Sequence, residues 1–239
     1  AKVEWFNWVA LWHAEKSFAP AIASHAHHDF GSFILFYKGR EVIIDPGRYS
    51  YDSEIKSDYG VSANAHSTIK INDMPTMLSN RDRFFPLKYR QSSAVFSCKE
   101  ELEIIKISLK HNGFFRLGDK SLDHTREFKI SKNSVEIVDD FEGTGSRNLN
   151  IFFQWSAVPK ILMHTDCDAS KCFNELEGIN VLFHIDNAVN IDSQCLIESE
   201  KPLGGWRFPA YGVCAPAMTH FISAEINLPA KSSYTIRAT

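Results

Sequence analysis

Four residues in the first third of the chain have the types and spacing to do chemistry together. His25 and His27 form a His-x-His pair, Asp45 follows 18 residues after His27, and His66 follows 21 residues after Asp45. Two imidazoles and a carboxylate are a standard donor set for a zinc-type ion, and three protein ligands leave a position open to water or substrate. In an extended segment residues two apart face the same side, so His25 and His27 project together while Ala26 and His28 turn away. Asp29, two residues on, either fixes the tautomer of a ligand imidazole or caps a turn. Histidine suits base work near neutral pH. The tyrosines that follow, Tyr49, Tyr51 and Tyr59, belong to a residue type that can act as base beside positive charge, or as acid to a leaving oxygen.

Strands must position these groups. Residues 32–38 and 41–45 read as an antiparallel hairpin turned at Lys38-Gly39-Arg40. Asp45-Pro46-Gly47 ends the second strand, because proline cannot continue a central ladder. The tyrosine segment after it reads as an irregular surface loop. His66 then opens a strand over 67–72, which ends in the turn Asn72-Asp73-Met74-Pro75 and a polar, irregular stretch over 76–92. Further strands are predicted at 94–98, 102–109, 123–130, 135–141, 148–155, 161–164, 181–185, 195–198, 221–226 and 234–238. Turn signals such as Asn112-Gly113, Gly118-Asp119 and Gly143-Thr144-Gly145 separate several of them. Many short strands without helical stretches predict an all-β chain, a large antiparallel two-sheet β-sandwich. Residues 24–239 form that domain. Residues 1–23, carrying Trp5, Phe6, Trp8, Trp12 and Phe18, are a lead-in that packs either on the sandwich or on a missing neighbour domain.

Composition narrows the function classes. A net charge of −3 over 239 residues gives no broad electrostatic case for nucleic acid or for an acidic membrane surface. Arg81, Arg83, Lys88 and Arg90 are the one dense basic cluster and leave room for a local basic groove toward an acidic ligand. The five cysteines contain no Cys-x-x-Cys, which argues against a cysteine zinc site. Cys167 and Cys172 could be bridged, and the odd count leaves at least one free thiol. No apolar run approaches the roughly 20 residues a membrane helix needs. The chain shows no signal-peptide pattern and begins at Ala1, which reads as an excised domain. There is no Gly-x-Ser-x-Gly for a serine hydrolase. A cupin-type oxygenase expects a Glu a few residues after its His pair, and none occurs here before Glu41.

The motifs together resemble one family. His25-x-His27-x-Asp29-x-Gly31-Ser32-Phe33, a strand, a glycine, a strand ending Asp45-Pro46-Gly47, a tyrosine-rich loop and Ala65-His66-Ser67-Thr68 are similar to the C-terminal sandwich of heparinase II/III polysaccharide lyases. The resemblance continues through His111-Asn112-Gly113-Phe114-Phe115-Arg116, through His124-x-Arg126 with Val138-Asp139-Asp140-Phe141-Glu142-Gly143, and through Trp206-Arg207-Phe208-Pro209-x-Tyr211-Gly212. It implies zinc held by His27, Asp45 and His66, with His25 as the catalytic base and Tyr51 as the best catalytic tyrosine. Tyr49 and Tyr59 are the alternatives on the substrate side, and Ser67 stands where the family usually has Asn. The implied reaction is β-elimination on a uronic-acid polysaccharide, heparin-like, alginate-like or a bacterial exopolysaccharide. The family's sandwich is preceded by an α/α-toroid domain that grips the uronate, and no such sequence is present here. The expectation is therefore half a catalytic site, binding metal and cleaving poorly alone, in a periplasmic or secreted parent protein. The rival expectation is a non-catalytic carbohydrate-binding or structural sandwich with a structural zinc.

Overall fold

Side chains that alternate between buried and more exposed with a period of two set the long antiparallel strands that hold the core. The structure, a computed structural model, describes residues 1–13, 27–52, 54–76, 94–118, 122–161 and 175–239. His25, the basic cluster of Arg81, Arg83, Lys88 and Arg90, the Cys167–Cys172 pair, Phe18 and the strand expected beyond residue 161 lie outside the described residues.

Strands β1 (Lys2–Trp5) and β2 (Trp8–Trp12) form an antiparallel hairpin. Trp8, Ala10 and Trp12 face inward on alternate positions, so this part of the lead-in packs on the sandwich and extends its sheet. Strand β2 pairs with β3 (Phe33–Tyr37), and β3 pairs with β4 (Arg40–Ile43). The tyrosine loop departs from the irregular segment expected. It contains helix α1 (Ile55–Val61) and a 3-10 turn at Ala63–Ala65. The short helix persists because it buries Tyr59 and Gly60 against the ring of Phe208.

Strands β5 (Ile69–Ile71) and β6 (Met74–Pro75) follow. A meander of β7 (Ala94–Glu101), β8 (Ile104–His111) and β9 (His124–Ile130) leads into β10 (Ser134–Trp155). Next come β11 (Val158–Ile161), β12 (Glu175–Ile185) and β13 (Ala188–Ile197). Two small hairpins, β14 (Ser199–Glu200) with β15 (Leu203–Gly204) and β16 (Trp206–Ala210) with β17 (Val213–Pro216), precede β18 (Met218–Ala238).

The expected strands 135–141 and 148–155 are one 22-residue strand, β10, and Gly143-Thr144-Gly145 is not a turn. Strand β18 pairs with β10 on both sides of that stretch, and the register shifts between Phe141 and Gly145, so the glycines sit in a bulge. The expected strands 221–226 and 234–238 likewise merge into the 21 residues of β18. The segment after His111, where Asn112-Gly113 signals a turn, is a 3-10 turn over Gly113–Leu117. Among the described residues the pairing is antiparallel except for β11 with β12, which is parallel.

The hydrogen-bonded path runs β1-β2-β3-β4-β10-β18-β12-β11, with β9, β8 and β7 branching from the first half of β10. The two branches join through β10 and face each other across the core: Phe33 of β3 and Trp12 of β2 pack edge-on against Phe128 of β9, at 4.9 and 5.0 Å between ring centroids. Trp155, Phe153, Tyr234 and Ile43 continue the same apolar core. Each such side chain buried stabilises the fold by about 1.5–3 kcal/mol relative to exposure. The result is the β-sandwich the strand pattern predicts. The start of β3, the end of β4 and the lead into β5 carry the residues singled out above.

Candidate metal and saccharide site

His27 begins a short loop that runs to Ser32 at the foot of β3, and neighbouring segments pin that loop. His28 donates its backbone N–H to Val61 of α1 at 2.9 Å, and Gly31 donates to His13 at 2.9 Å. Ser32 donates to Asp29 at 2.8 Å, closing the turn. The Asp29 carboxylate pairs with the His13 ring, 2.9 Å away. His13 is a site residue the sequence reading left out; its only signal was a histidine at the end of an aromatic strand. Burial alone would raise the Asp29 carboxyl, but the His13 hydrogen bond and the positive fields of His66, His13 and His27 hold it below the usual carboxylate range.

Asp45 lies two residues beyond β4, where proline has ended the ladder. One carboxylate oxygen accepts the Gly47 N–H at 2.8 Å and the other lies 3.1 Å from His66 Nδ1. Burial opposes the charge on Asp45, but the His66 bond, the field of that ring and the Gly47 N–H more than offset it, leaving the carboxyl lowered. Gly47 adopts φ +77°, and a Cβ there would meet the Phe208 carbonyl oxygen at 2.5 Å, so the Asp-Pro-Gly turn admits only glycine.

His66 follows the 3-10 turn and is 1% exposed. An ionised carboxylate can only accept, so His66 Nδ1 carries the proton toward Asp45, and in the neutral imidazole this tautomer leaves the lone pair on Nε2. That Nε2 is buried and has no hydrogen-bond partner among the described residues. A buried polar atom left unpaired costs about 1–3 kcal/mol, which calls for an explanation. The His27 ring lies beside it, 5.3 Å between centroids at 44°. Burial first, and then the neighbouring His66, push the His27 imidazole down to about 4, against the opposing pull of Asp29 and Asp45. His27 is therefore neutral near pH 7, as a metal ligand must be.

These residues fit a zinc-type ion. Two imidazoles on one tetrahedral ion, with Zn–N near 2.0–2.1 Å, place their ring centres about 5 Å apart. A carboxylate on the far nitrogen of a ligand histidine is the usual way its tautomer is fixed. Among the described residues no three His, Cys, Asp or Glu side chains already form a cage. Asp45 is here the partner of His66, and it would exchange that contact to become a ligand itself.

The tyrosines separate by exposure. Tyr51 is exposed, its ring covered on one face by the Arg48 guanidinium at 4.1 Å and stacked on Tyr211 with centroids 6.2 Å apart. Tyr49 is half-buried against Phe208. Tyr59 is buried, and burial pushes its phenol up to about 12, so it serves as packing rather than as a group open to a saccharide. Phe208 is the hub of this cluster, with Tyr59, Ala65 and Tyr49 around it. Gln154 ties the rest: its side-chain N–H donates to the Asn64 carbonyl at 2.8 Å, its carbonyl accepts from Thr219, and its backbone N–H donates to Ser67 Oγ. Gln154 was not singled out in the sequence, and Phe208 appeared there only within the Trp206–Gly212 motif without a role, because both act through distant segments.

Comparison with known proteins bears on the whole chain. The family model described as Heparinase II/III-like, C-terminal, matches residues 9–235. Heparan sulfate lyase HepC from Pedobacter heparinus superposes with a TM-score of 0.66 at 15% identity over 96% of this chain and 33% of its own. A heparinase III gene product gives 0.65 at 15% identity over 97% of this chain and 32% of its own. A further heparinase III crystal structure gives 0.66 at 15% identity, over 96% and 33%. The chain thus spans about a third of the solved structures it matches. No curated protein sequence matches it.

Proposed function

Because the chain belongs to the heparinase II/III-like C-terminal family, we propose that it is the metal-binding sandwich of a polysaccharide lyase. The lyase cleaves uronic-acid polysaccharide, a glycosaminoglycan first among the candidates, by β-elimination. The observation that carries the reading is the pair of neighbouring imidazoles, His27 and His66, with the buried Nε2 of His66 that has no partner among the described residues. Exposed Tyr51 lies on the loop that leads from Asp45 to His66.

The chemistry asks for removal of the C5 proton next to the uronate carboxylate and departure of the 4-linked oxygen. His25, two residues before His27, is the base for the C5 proton. Tyr51 donates its phenolic proton to the leaving oxygen, and Arg48 over its ring places positive charge beside that phenol. His27, His66 and Asp45 would hold a zinc ion, which would supply fixed positive charge there and a tie between the strand ends. His27 and His66 orient that end of the sheet, and Phe208 with Tyr59 holds the tyrosine loop to it. The developing negative charge at the uronate needs donors that an N-terminal helical toroid domain would supply, as the coverage of about a third of the related structures suggests. Polysaccharide is met outside the cytoplasm, which makes the parent protein periplasmic or secreted.

The test is zinc analysis of the 239-residue chain together with absorbance of the unsaturated product on heparan sulfate and alginate. One zinc per chain with little turnover is expected. Strong turnover by the chain alone would overturn the half-site account. The full burial of His66 also suits a second reading, a non-catalytic sandwich with a structural zinc. That reading gains if a chain joined to a helical toroid partner binds oligosaccharide yet forms no unsaturated product.

A further inference from the structure

Strand β9 places an arginine on its apolar face: His124, Arg126, Phe128 and Ile130 are all buried at alternate positions. Arg126 is 1% exposed, and its cross-strand partner in β10 is Asp139, also buried. The pair is bidentate, with Arg126 Nε donating to Asp139 Oδ1 at 2.7 Å and Nη2 donating to Oδ2 at 2.9 Å. The third nitrogen, Nη1, reaches out of the pair. It donates to the Gly31 carbonyl at 3.1 Å and to the Ser67 carbonyl at 2.9 Å. Gly31 lies four residues after His27 and two after Asp29, and Ser67 directly follows His66. One guanidinium therefore clamps the two separate segments that carry the paired imidazoles.

The clamp is itself held in one orientation. The Gly113 N–H donates to His111 Nδ1 at 3.1 Å, so the His111 proton is on Nε2. His111 Nε2 then donates to His124 Nδ1 at 2.7 Å, and His124 Nε2 donates to Asp139 Oδ1 at 2.8 Å. Every tautomer in this buried chain follows from one backbone N–H. A buried ion pair is weak evidence for stability, since well-packed apolar replacements often do as well. The feature specific to Arg126 is the second pair of bonds, which an apolar side chain cannot make and which lysine, a point charge without a fork, reproduces poorly.

We propose that Arg126, oriented by Asp139 and the His111–His124 relay, is a positioning residue that sets the His27 and His66 imidazoles in register. The inference rests on the metal reading of these histidines for its affinity readout, and it has a second readout that needs no metal. The experiment compares the 239-residue chain with an Arg126→Met/Asp139→Leu double variant, which removes the clamp without leaving a buried charge, and with Arg126→Lys, which keeps the charge for Asp139. Zinc affinity by chelator competition should fall about 10–100-fold in the double variant, the range for losing an outer-shell support. In zinc-free protein, exchange at the His28, Gly31 and Thr68 amides should rise at least tenfold, with amides of β10 and β18 unchanged. Arg126→Lys should move both readouts the same way by less. If the double variant does not fold, Arg126→Lys alone decides. A folded variant with wild-type zinc affinity and wild-type exchange at those three amides overturns the proposal. A wild-type chain that takes up no zinc, while its variants still lose protection there, overturns the metal reading and upholds the positioning role.

Discussion

At the residue scale the chain concentrates constraint on single atoms. Gly47 is one case: its φ of +77° and the carbonyl 2.5 Å from a would-be Cβ leave no room for a side chain. Gly47→Ala should destabilise the chain by about 1–3 kcal/mol, the cost of enforcing a sparsely populated backbone conformation, read as a lower urea midpoint. His220 is another case. Its Nε2 pairs with Ser193 Oγ at 2.7 Å and its Nδ1 with Tyr234 Oη at 2.6 Å, and burial pushes the imidazole down to about 3. The unfolded chain takes up that proton near pH 6.5 and the folded chain only near 3, so more protons bind the unfolded state in between. Stability is therefore full above about pH 6.5 and falls as the solution is acidified, by at most about 1.4 kcal/mol per pH unit for this histidine. Burial lowers His124 as well, which adds to the same trend. Denaturant midpoints at pH 7 and pH 5 check it, with His220→Gln expected to flatten the difference. Equal midpoints at both pH values in the wild-type chain would contradict the account.

At the element scale, the hairpin β3–β4 and the strand after His66 could be read from alternation, glycine at Gly39 and the proline after Asp45, because all three are local signals. Helix α1 could not. Its residues Ile55–Val61 carry no side-chain N-cap bond and are held by burial against Phe208, about 150 residues away in sequence. The same is true of the merged strands. Gly143-Thr144-Gly145 has the composition of a turn, and only pairing to β18 on both sides makes it a bulge. The site divides along the same line. His27, Asp45 and His66 were legible as a spacing, and the fold brings His27 beside His66 and bonds Asp45 to it. His13, Arg126 and Gln154 were not legible as site residues, because their roles are set by tertiary contacts. An arginine at an alternate, core-facing position between His124 and Phe128 was the one available sign. Phe208→Ala should loosen α1 and the Tyr49–Tyr51 segment, costing about 3 kcal/mol or more for a deleted buried ring. Proteolytic cleavage within residues 48–62 should quicken, while the core around Trp155 keeps its fluorescence.

At the scale of the whole molecule the chain is a sandwich whose candidate site sits at strand ends and loops. The heparinase structures it matches are about three times longer. Joined to a helical toroid domain of the family, the sandwich should gain β-elimination activity, and Tyr51→Phe in that assembly should lower kcat by about 10²–10⁴, the usual worth of a positioned proton donor. Product absorbance checks both. The measurement that bears most directly on the site is zinc affinity of the 239-residue chain against His66→Asn, whose amide nitrogen stands where Nδ1 does and keeps a donor for Asp45 while the buried Nε2 is removed. The account predicts one zinc per wild-type chain and at least a hundredfold weaker binding in the variant, beyond the upper end of what outer-shell changes cost. A wild-type chain without zinc after dialysis against the metal, or a variant that binds it equally well, would contradict the assignment of His27 and His66 as ligands.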